Sequence, residues 1–233
     1  MHETLILRSA EEVAKKVAFD LDQEVSRLLS SQEEVHLVLT GGTVGNMALT
    51  ALAELLVDKD LLGLKIWWGD ERFVESTSPD RNANQASNAL LSKISIQKSA
   101  LHPFPSSDES DIKTAASSFA RQIEQISPRF DIVLLGMGGD GHVASLFPGS
   151  ETESVGDWVV VEENSPKPPS ARLSLSYSAL STSQQVWFLV AGADKADAVA
   201  SVFAGEDLPA GNVSGVELTR WYLDEAAASK TTS

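Results

Sequence analysis

The segment from Gly136 to His142 carries the residue types best suited to acid–base chemistry. It reads Gly-Met-Gly-Gly-Asp-Gly-His and follows a mainly apolar run at 130–135. An imidazole titrates near neutral pH and can act as a general base, and a carboxylate two residues earlier can orient its ring. The glycines predict a compact backbone concavity that presents both groups at a strand end. We therefore expect His142 to be catalytic with Asp140 as its partner, the alternative being a structural histidine.

The same segment formally matches the Gly-x-Gly-x-x-Gly pattern of dinucleotide-binding loops. That pattern should open a long helix against the sheet, whereas Pro148-Gly149 stops the apolar stretch after one or two turns. We therefore reject a dinucleotide site. A Ser-His-Asp triad is weakly supported, because Ser145 is three residues from His142 and the chain has no Gly-x-Ser-x-Gly elbow. Water is the preferred nucleophile.

Three further segments offer groups that bind anions. The Thr-Gly-Gly-Thr sequence at 40–43 lies between a strand and a helix, where free N–H groups attract phosphate, although a plain tight turn is equally compatible. In the Gly-Asp-Glu-Arg sequence at 69–72 the arginine could clamp an anion or join an exposed ion-pair cluster. Arg172 begins a short strand. Lys195 lies in the first turn of a helix, where a cation opposes the dipole unless it faces an anion; simple exposure is the alternative.

Composition narrows the classes of function. The net charge of −15 repels polyanions, so nucleic-acid binding is not expected, and a small anionic substrate would need a local cationic pocket. The absence of cysteine excludes disulfides and thiol catalysis, and the four histidines are too scattered to predict a metal site. No apolar run is long enough for a membrane span, and we expect no signal peptide because residues 1–4 lack a basic region followed by an apolar stretch. We expect a cytoplasmic protein.

Apolar strands alternate with helical patterns along the whole chain. This alternation predicts a single α/β domain over 1–233, with a doubly wound, mainly parallel sheet and helices on both faces. In such a sheet the turns after Leu39, Trp68, Leu135 and Val190 would meet at the carboxyl edge. The strands are predicted at 5–7, 35–39, 65–68, 130–135, 158–161, 172–175 and 185–190. The helices are predicted at 10–29 with Ser9 as N-cap, 46–57, 82–94, 108–126 and 194–203.

These motifs, in this order, resemble those of the 6-phosphogluconolactonases, within a wider group that includes glucosamine-6-phosphate deaminases. The strongest match is the run 136–149, and the segments 40–43, 70–74 and 172–175 support it. The resemblance also takes in Asn82, Gly192 with Lys195, and 221–228, and so covers nearly the whole chain. There are two departures. Val44 replaces the proline of the first loop, and Arg81 stands where a serine is common; Arg81 could reach the site or face solvent.

The resemblance implies a Rossmann-like fold of the sugar-phosphate isomerase/deaminase type. It further implies hydrolysis of 6-phospho-D-glucono-1,5-lactone in the oxidative pentose phosphate pathway, with no metal or organic cofactor. His142 would be the general base and Asp140 its orienting partner. The only partner expected is the phosphorylated sugar lactone, with no nucleic acid or membrane, and the chain would be a monomer or weak homo-oligomer. The implied substrate- and phosphate-binding residues are Gly41, Gly42, Thr43, Asp70, Arg72, Gly138, Gly139, Arg172 and Lys195.

Two other functions stay open. An aminosugar-phosphate deaminase or isomerase shares the glycine loops, but such enzymes carry Phe-Asn-Glu-Pro after the histidine, where this chain has Ala-Ser-Leu-Phe-Pro-Gly at 144–149. A non-catalytic sugar-phosphate sensor would need only the phosphate-binding residues. Asp140 and His142 favour an enzyme over the sensor.

Overall fold

The computed structural model describes residues 1–126 and 128–231. Two sheets and their flanking helices form the molecule. The strands are β1 (His2–Leu7), β2 (Val35–Leu39), β3 (Leu64–Trp68), β4 (Asp70–Arg72), β5 (Leu101–His102), β6 (Ile132–Gly136), β7 (Glu153–Val155), β8 (Val159–Glu162), β9 (Arg172–Leu175), β10 (Gln185–Val190) and β11 (Leu218–Asp224). The α-helices are α1 (Ala10–Leu29), α2 (Gly42–Leu56), α3 (Asn82–Ala86), α4 (Ile112–Ile126), α5 (Tyr177–Ser181) and α6 (Ala196–Phe203).

The larger sheet contains seven strands in the order β1-β11-β10-β6-β2-β3-β5, and all of its pairs are parallel. The parallel sheet expected from the sequence is therefore confirmed. The chain leaves β2 toward β3 on one side and leaves β6 toward β10 on the other. The carboxyl ends of β2 and β6 thus border the crevice where ligands bind in open α/β sheets.

Helices cover both faces of this sheet. Neighbouring residues of a strand point to opposite faces, and in β10 Trp187 packs on Tyr222 while Phe188 stacks on Trp221. The Tyr222 hydroxyl bonds to Asp20 of α1, whereas Trp221 contacts Phe203 of α6. The helix α2 packs beside α1, and α4 lies on the other face. None of the helices within the described ranges is long and apolar enough to cross a membrane.

A second, antiparallel sheet was not expected from the sequence. Its order is β4-β9-β8-β7, and its first strand is the segment predicted to be a polar loop at 69–72. That prediction is wrong because the chain continues past Gly69 and pairs Asp70 with Ser174 and Arg72 with Arg172. The small sheet thereby brings β9 against the carboxyl end of β3.

Several helix boundaries differ from those expected. The helix α2 begins at Gly42 rather than at residue 46, so the glycines of the first loop form its N-terminus. The helix expected at 82–94 is the short α3 followed by a π-helical turn, Ser87–Leu91. The predicted N-cap is confirmed, since the Ser9 side chain accepts a hydrogen bond from the Glu12 N–H.

A buried ion pair holds the start of α3. The side chains of Glu71 and Arg81 are almost fully enclosed, and Arg81 Nε lies 3.4 Å from Glu71 Oε2. Glu71 also accepts hydrogen bonds from the N–H groups of Asn82 and Ala83, at 2.7 and 3.0 Å. Arg81 donates to the Phe104 carbonyl. Arg81 therefore neither enters the site nor faces solvent; it fixes the helix that carries Asn82.

We expect Glu71→Ala to lower the free energy of unfolding by about 3–5 kcal/mol, because it leaves the Arg81 guanidinium buried without its carboxylate. Urea unfolding followed by circular dichroism measures this loss. Glu71→Ala combined with Arg81→Met should be less destabilised than the sum of the two single variants. A Glu71→Ala protein as stable as the unchanged chain would contradict the structural role of the pair.

Candidate active site

The loops that follow β2, β3, β6 and β10 surround one cavity of about 630 Å³ at the carboxyl edge of the parallel sheet. The Thr40 hydroxyl accepts a hydrogen bond from the Gly136 N–H at 3.1 Å and so ties the first loop to the third. Groups far apart in the chain thus meet at one place. The predicted site residues that line the cavity are Gly41, Gly42, Thr43, Asp70, Arg72, Gly138, His142, Arg172 and Lys195.

His142 and Asp140 form a close pair beside this cavity. The His142 Nδ1 atom lies 2.5 Å from Asp140 Oδ1. The loop is closed by a hydrogen bond from the Gly138 N–H to the His142 carbonyl, at 2.9 Å. A Cβ atom at Gly138 would lie 2.0 Å from His142 Nδ1, so glycine is required there. With Nδ1–H donating to the carboxylate, Nε2 is the nitrogen left to accept a proton.

The surroundings of His142 favour its neutral form. Burial lowers the pKa of its imidazole, Asp140 and Asp70 oppose that change, and the nearby Lys167 ammonium adds to it. The ring also packs on Phe147, with 4.5 Å between ring centroids. At neutral pH the imidazole is therefore deprotonated and available as a base.

A buried network surrounds Asp70. The Ser145 hydroxyl donates to Asp70 Oδ2 at 2.6 Å, and Asn82 Nδ2 donates to Asp70 Oδ1 at 3.1 Å. Arg172 Nη1 lies 3.8 Å from the same carboxylate. Because the Ser145 hydroxyl is fully enclosed and bonded to Asp70, it is not set up as a nucleophile activated by His142.

An anion entering the cavity meets the N-terminus of α2. Its N-cap, Gly41, has no side chain to accept from the first N–H groups, and the first turn contains no acidic residue. Uncapped N–H groups and the helix dipole together attract an anion. A Cβ atom at Gly41 would lie 2.1 Å from Asn82 Oδ1, so this close approach also requires glycine.

Three predicted cations lie in the same cavity wall. The Arg172 side chain is buried and donates to the carbonyls of Lys167, Pro168 and Pro169. Arg72 Nη1 donates to the Asp80 carbonyl at 2.6 Å, while its buried Nε has no partner among the described residues. The Lys195 ammonium lies 2.7 Å from Asp194. Because Asp194 already balances the charge of Lys195, the position of this lysine in the first helical turn does not by itself indicate a bound anion.

The cavity wall differs from the predicted site at Gly139 and Lys167. Gly139 is not part of the cavity wall; a Cβ atom there would lie 2.7 Å from the Asp194 carbonyl oxygen, so the contact between two loops explains this glycine. Lys167 lines the cavity, and its Nζ lies 3.4 Å from His142 Nδ1. Sequence reasoning missed it within a proline-rich loop, where its place shortly before Arg172 was the only signal. Across 1–126 and 128–231, no cluster of three or more His, Asp or Glu residues could hold a metal ion.

Comparisons of sequence and of structure both find 6-phosphogluconolactonases among the proteins similar to this chain. The model of a family described as glucosamine-6-phosphate isomerases/6-phosphogluconolactonase matches residues 8–221. A 6-phosphogluconolactonase of Streptomyces coelicolor is 38% identical over 97% of this chain and 93% of its own length, and one of Mycobacterium tuberculosis is 36% identical over 90% of each. The crystal structure of 6-phosphogluconolactonase from Thermotoga maritima superposes with a TM-score of 0.87 at 27% identity, covering 96% of this chain and 100% of that one.

Replacing Asp140 with Asn should lower the pKa of His142, because the carboxylate that favours the imidazolium is lost. Imidazole NMR signals followed against pH measure the change, with the His142 signal assigned by its loss in His142→Ala. Asp58→Asn removes an exposed carboxylate elsewhere on the surface and serves as the matched control. An unchanged or raised His142 pKa in Asp140→Asn would contradict the pairing.

Proposed function

Since the chain belongs to the family of glucosamine-6-phosphate isomerases and 6-phosphogluconolactonases, we propose that it hydrolyses 6-phospho-D-glucono-1,5-lactone to 6-phospho-D-gluconate, a step of the oxidative pentose phosphate pathway. The observation that carries the proposal is that an imidazole whose pKa is lowered by burial lies in the same cavity as several cations. The small phosphorylated lactone is then the partner. Cytoplasmic location and a monomeric or weakly oligomeric state stay predictions.

The reaction needs one base and one site for negative charge. His142 Nε2 takes a proton from water as the water oxygen attacks the lactone carbonyl carbon. Backbone N–H groups of the glycine loop or the nearby cations stabilise the oxyanion. The imidazolium then returns its proton to the ring oxygen as the carbon–oxygen bond of the ring breaks. The products are a carboxylic acid and a free hydroxyl, so atoms and protons balance.

The phosphate would bind where positive groups concentrate. The chain carries a net charge of −15, yet Arg72, Lys167, Arg172 and Lys195 all line this one cavity. A local concentration of cations can attract a dianion against the field of the whole molecule. We assign the phosphate to the N-terminus of α2 together with Lys195, Arg172 and Arg72. Asp70, held by Ser145 and Asn82, would accept hydrogen bonds from sugar hydroxyls.

The deaminase alternative lacks an acid–base group in the segment after His142. Residues 143–149 contain no carboxylate, and the Ser145 hydroxyl is occupied by Asp70. Ammonia release from glucosamine 6-phosphate, assayed beside lactone hydrolysis corrected for the spontaneous rate, separates the two reactions. Ammonia release without lactone turnover would overturn the proposal, and ligand binding without either reaction would indicate a sensor.

Replacing His142 with Ala should lower kcat for the lactone by about 10²–10⁴-fold and leave KM nearly unchanged, because the base acts mainly in the transition state. Turnover is followed by a coupled assay of 6-phosphogluconate, after subtraction of spontaneous hydrolysis. His2→Ala changes an exposed histidine at the start of β1 and should retain full activity. A His142→Ala enzyme with unchanged kcat would exclude this residue as the base.

Replacing Lys195 with Met should raise KM for the phosphorylated lactone about tenfold or more, because a hydrogen bond to a charged group contributes about 1.5–3 kcal/mol. The KM for the unphosphorylated gluconolactone should not change. Lys230→Met removes an exposed lysine paired with Asp197 and is the matched control. Equal effects on both lactones would place Lys195 away from the phosphate.

A further inference from the structure

Lys167 makes an unusual contact in the cavity. Its Nζ lies 3.4 Å from His142 Nδ1, which is the same atom that lies 2.5 Å from Asp140 Oδ1. Because Nδ1–H donates to the carboxylate, this nitrogen has no free lone pair for the ammonium. The two donors therefore lie next to each other without a hydrogen bond between them.

The other cations of the cavity wall each have at least one polar partner, although the buried Nε of Arg72 has none among the described residues. Arg172 is bonded to three carbonyls, Lys195 to Asp194 and Arg72 to the Asp80 carbonyl. Within the described residues, Lys167 Nζ has neither a carboxylate within 4.0 Å nor a carbonyl at hydrogen-bond distance; its one polar neighbour is His142. The ammonium of Lys167 can therefore become a partner of an anion in the cavity without giving up a carboxylate or a carbonyl.

The backbone of Lys167 is held while its side chain is exposed. The Lys167 N–H donates to Ser165 Oγ, and the Lys167 carbonyl accepts from Arg172 Nη2 and from the Ser165 hydroxyl. The residue lies in the loop between β8 and β9. A lysine side chain has a flexible four-carbon stem. Its ammonium can therefore change partners by rotation about side-chain bonds, with no movement of the loop.

We propose that Lys167 is a movable counter-charge: its ammonium lies against the imidazole of His142 while the cavity is empty and turns to the anionic ligand when the cavity fills, which strengthens His142 as a base only with ligand bound. The identity of the anion, a phosphorylated lactone, rests on the proposed function. Lys167 is in this respect a positioning residue, since it acts on the reaction through the charge on His142.

The charges around the pair agree with this exchange. His142 faces Asp140 on its own loop, Asp70 on β4 and Lys167 on the loop between β8 and β9. Lys167 in turn lies in the field of Asp140 and Asp194, which favour its ammonium, and of Lys195 and Arg172, which oppose it. Partial loss of hydration lowers the pKa of both His142 and Lys167, and the Lys167 ammonium lowers the pKa of His142 further. A bound anion relieves that repulsion.

The test compares the unchanged protein, Lys167→Met and Lys113→Met, the last removing a surface lysine paired with Glu153. The pKa of His142 is measured by imidazole NMR in the free protein and with saturating 6-phospho-D-gluconate. We expect Lys167→Met to raise the His142 pKa in the free protein and to shrink the further rise caused by the ligand. Lys113→Met should match the unchanged protein. The signals of the other three histidines report that each variant is folded.

The proposal would be overturned if the His142 pKa of the ligand-free protein were the same in Lys167→Met as in the unchanged protein. It would also be overturned if the ligand raised the His142 pKa equally in these two proteins. The pH profiles of kcat and kcat/KM provide a second, independent measurement. The pKa seen in kcat, which reports the complex, should exceed the pKa seen in kcat/KM, which reports the free enzyme, and this gap should narrow in Lys167→Met. The free-protein titration does not depend on catalysis. If lactone turnover is absent while that titration behaves as expected, the proposed function fails and the counter-charge stands.

Discussion

The parallel pairing of β10, β6, β2 and β3 is the constraint on which the cavity depends. Their register sets Leu37 beside Ile132 and Leu135 beside Phe188, so the four strands end at one edge and deliver four loops to the same crevice. Side chains alternate along a strand, so a slip of one residue would reverse which groups face the core. The extensive apolar contact on both faces of this sheet makes such a slip costly and thereby stabilises the positions of polar groups that contribute nothing to the core.

The site is built as much from close backbone approach as from side-chain chemistry. Glycine at 41 lets the first loop touch Asn82, and glycine at 138 lets the imidazole fold back over its own loop. The same Asn82 is held by the Glu71–Arg81 ion pair and donates to Asp70. The stability of α3 and the geometry of the cavity are thus coupled, because the groups that fix α3 also orient the Asp70 carboxylate. A substitution that loosens α3 will therefore also displace this carboxylate.

The sequence allowed the parallel sheet and most of the cavity wall to be predicted, because apolar strands alternate with helices and polar motifs follow their ends. Two strands of the antiparallel sheet, β8 and β9, correspond to the strands predicted at 158–161 and 172–175. The sheet itself was not predicted, because Asp70–Arg72 is wholly polar and the three-residue β7 is too short to show a period. The strand β11 was missed for a related reason: Arg220 interrupts its apolar pattern, yet its guanidinium pairs with Glu3 and covers the Trp187 ring. The place of Lys167 in the cavity wall was not predicted, because only the tertiary fold brings this loop lysine next to the His142 imidazole.

Asp140 and Lys167 act on the same imidazole with opposite charges, and general-base catalysis makes use of both effects. A base must be unprotonated when the water arrives, which burial and a nearby cation favour, and it must then hold a proton strongly, which a nearby carboxylate favours. A rigid set of charges can serve these two needs only by compromise. In this cavity the carboxylate is fixed by a short contact within one loop, whereas the cation stands on a flexible stem in the cavity wall. The proton affinity of His142 can therefore change when a ligand enters the cavity, because the Lys167 ammonium, which keeps the imidazole neutral, is the group that a phosphorylated ligand would attract.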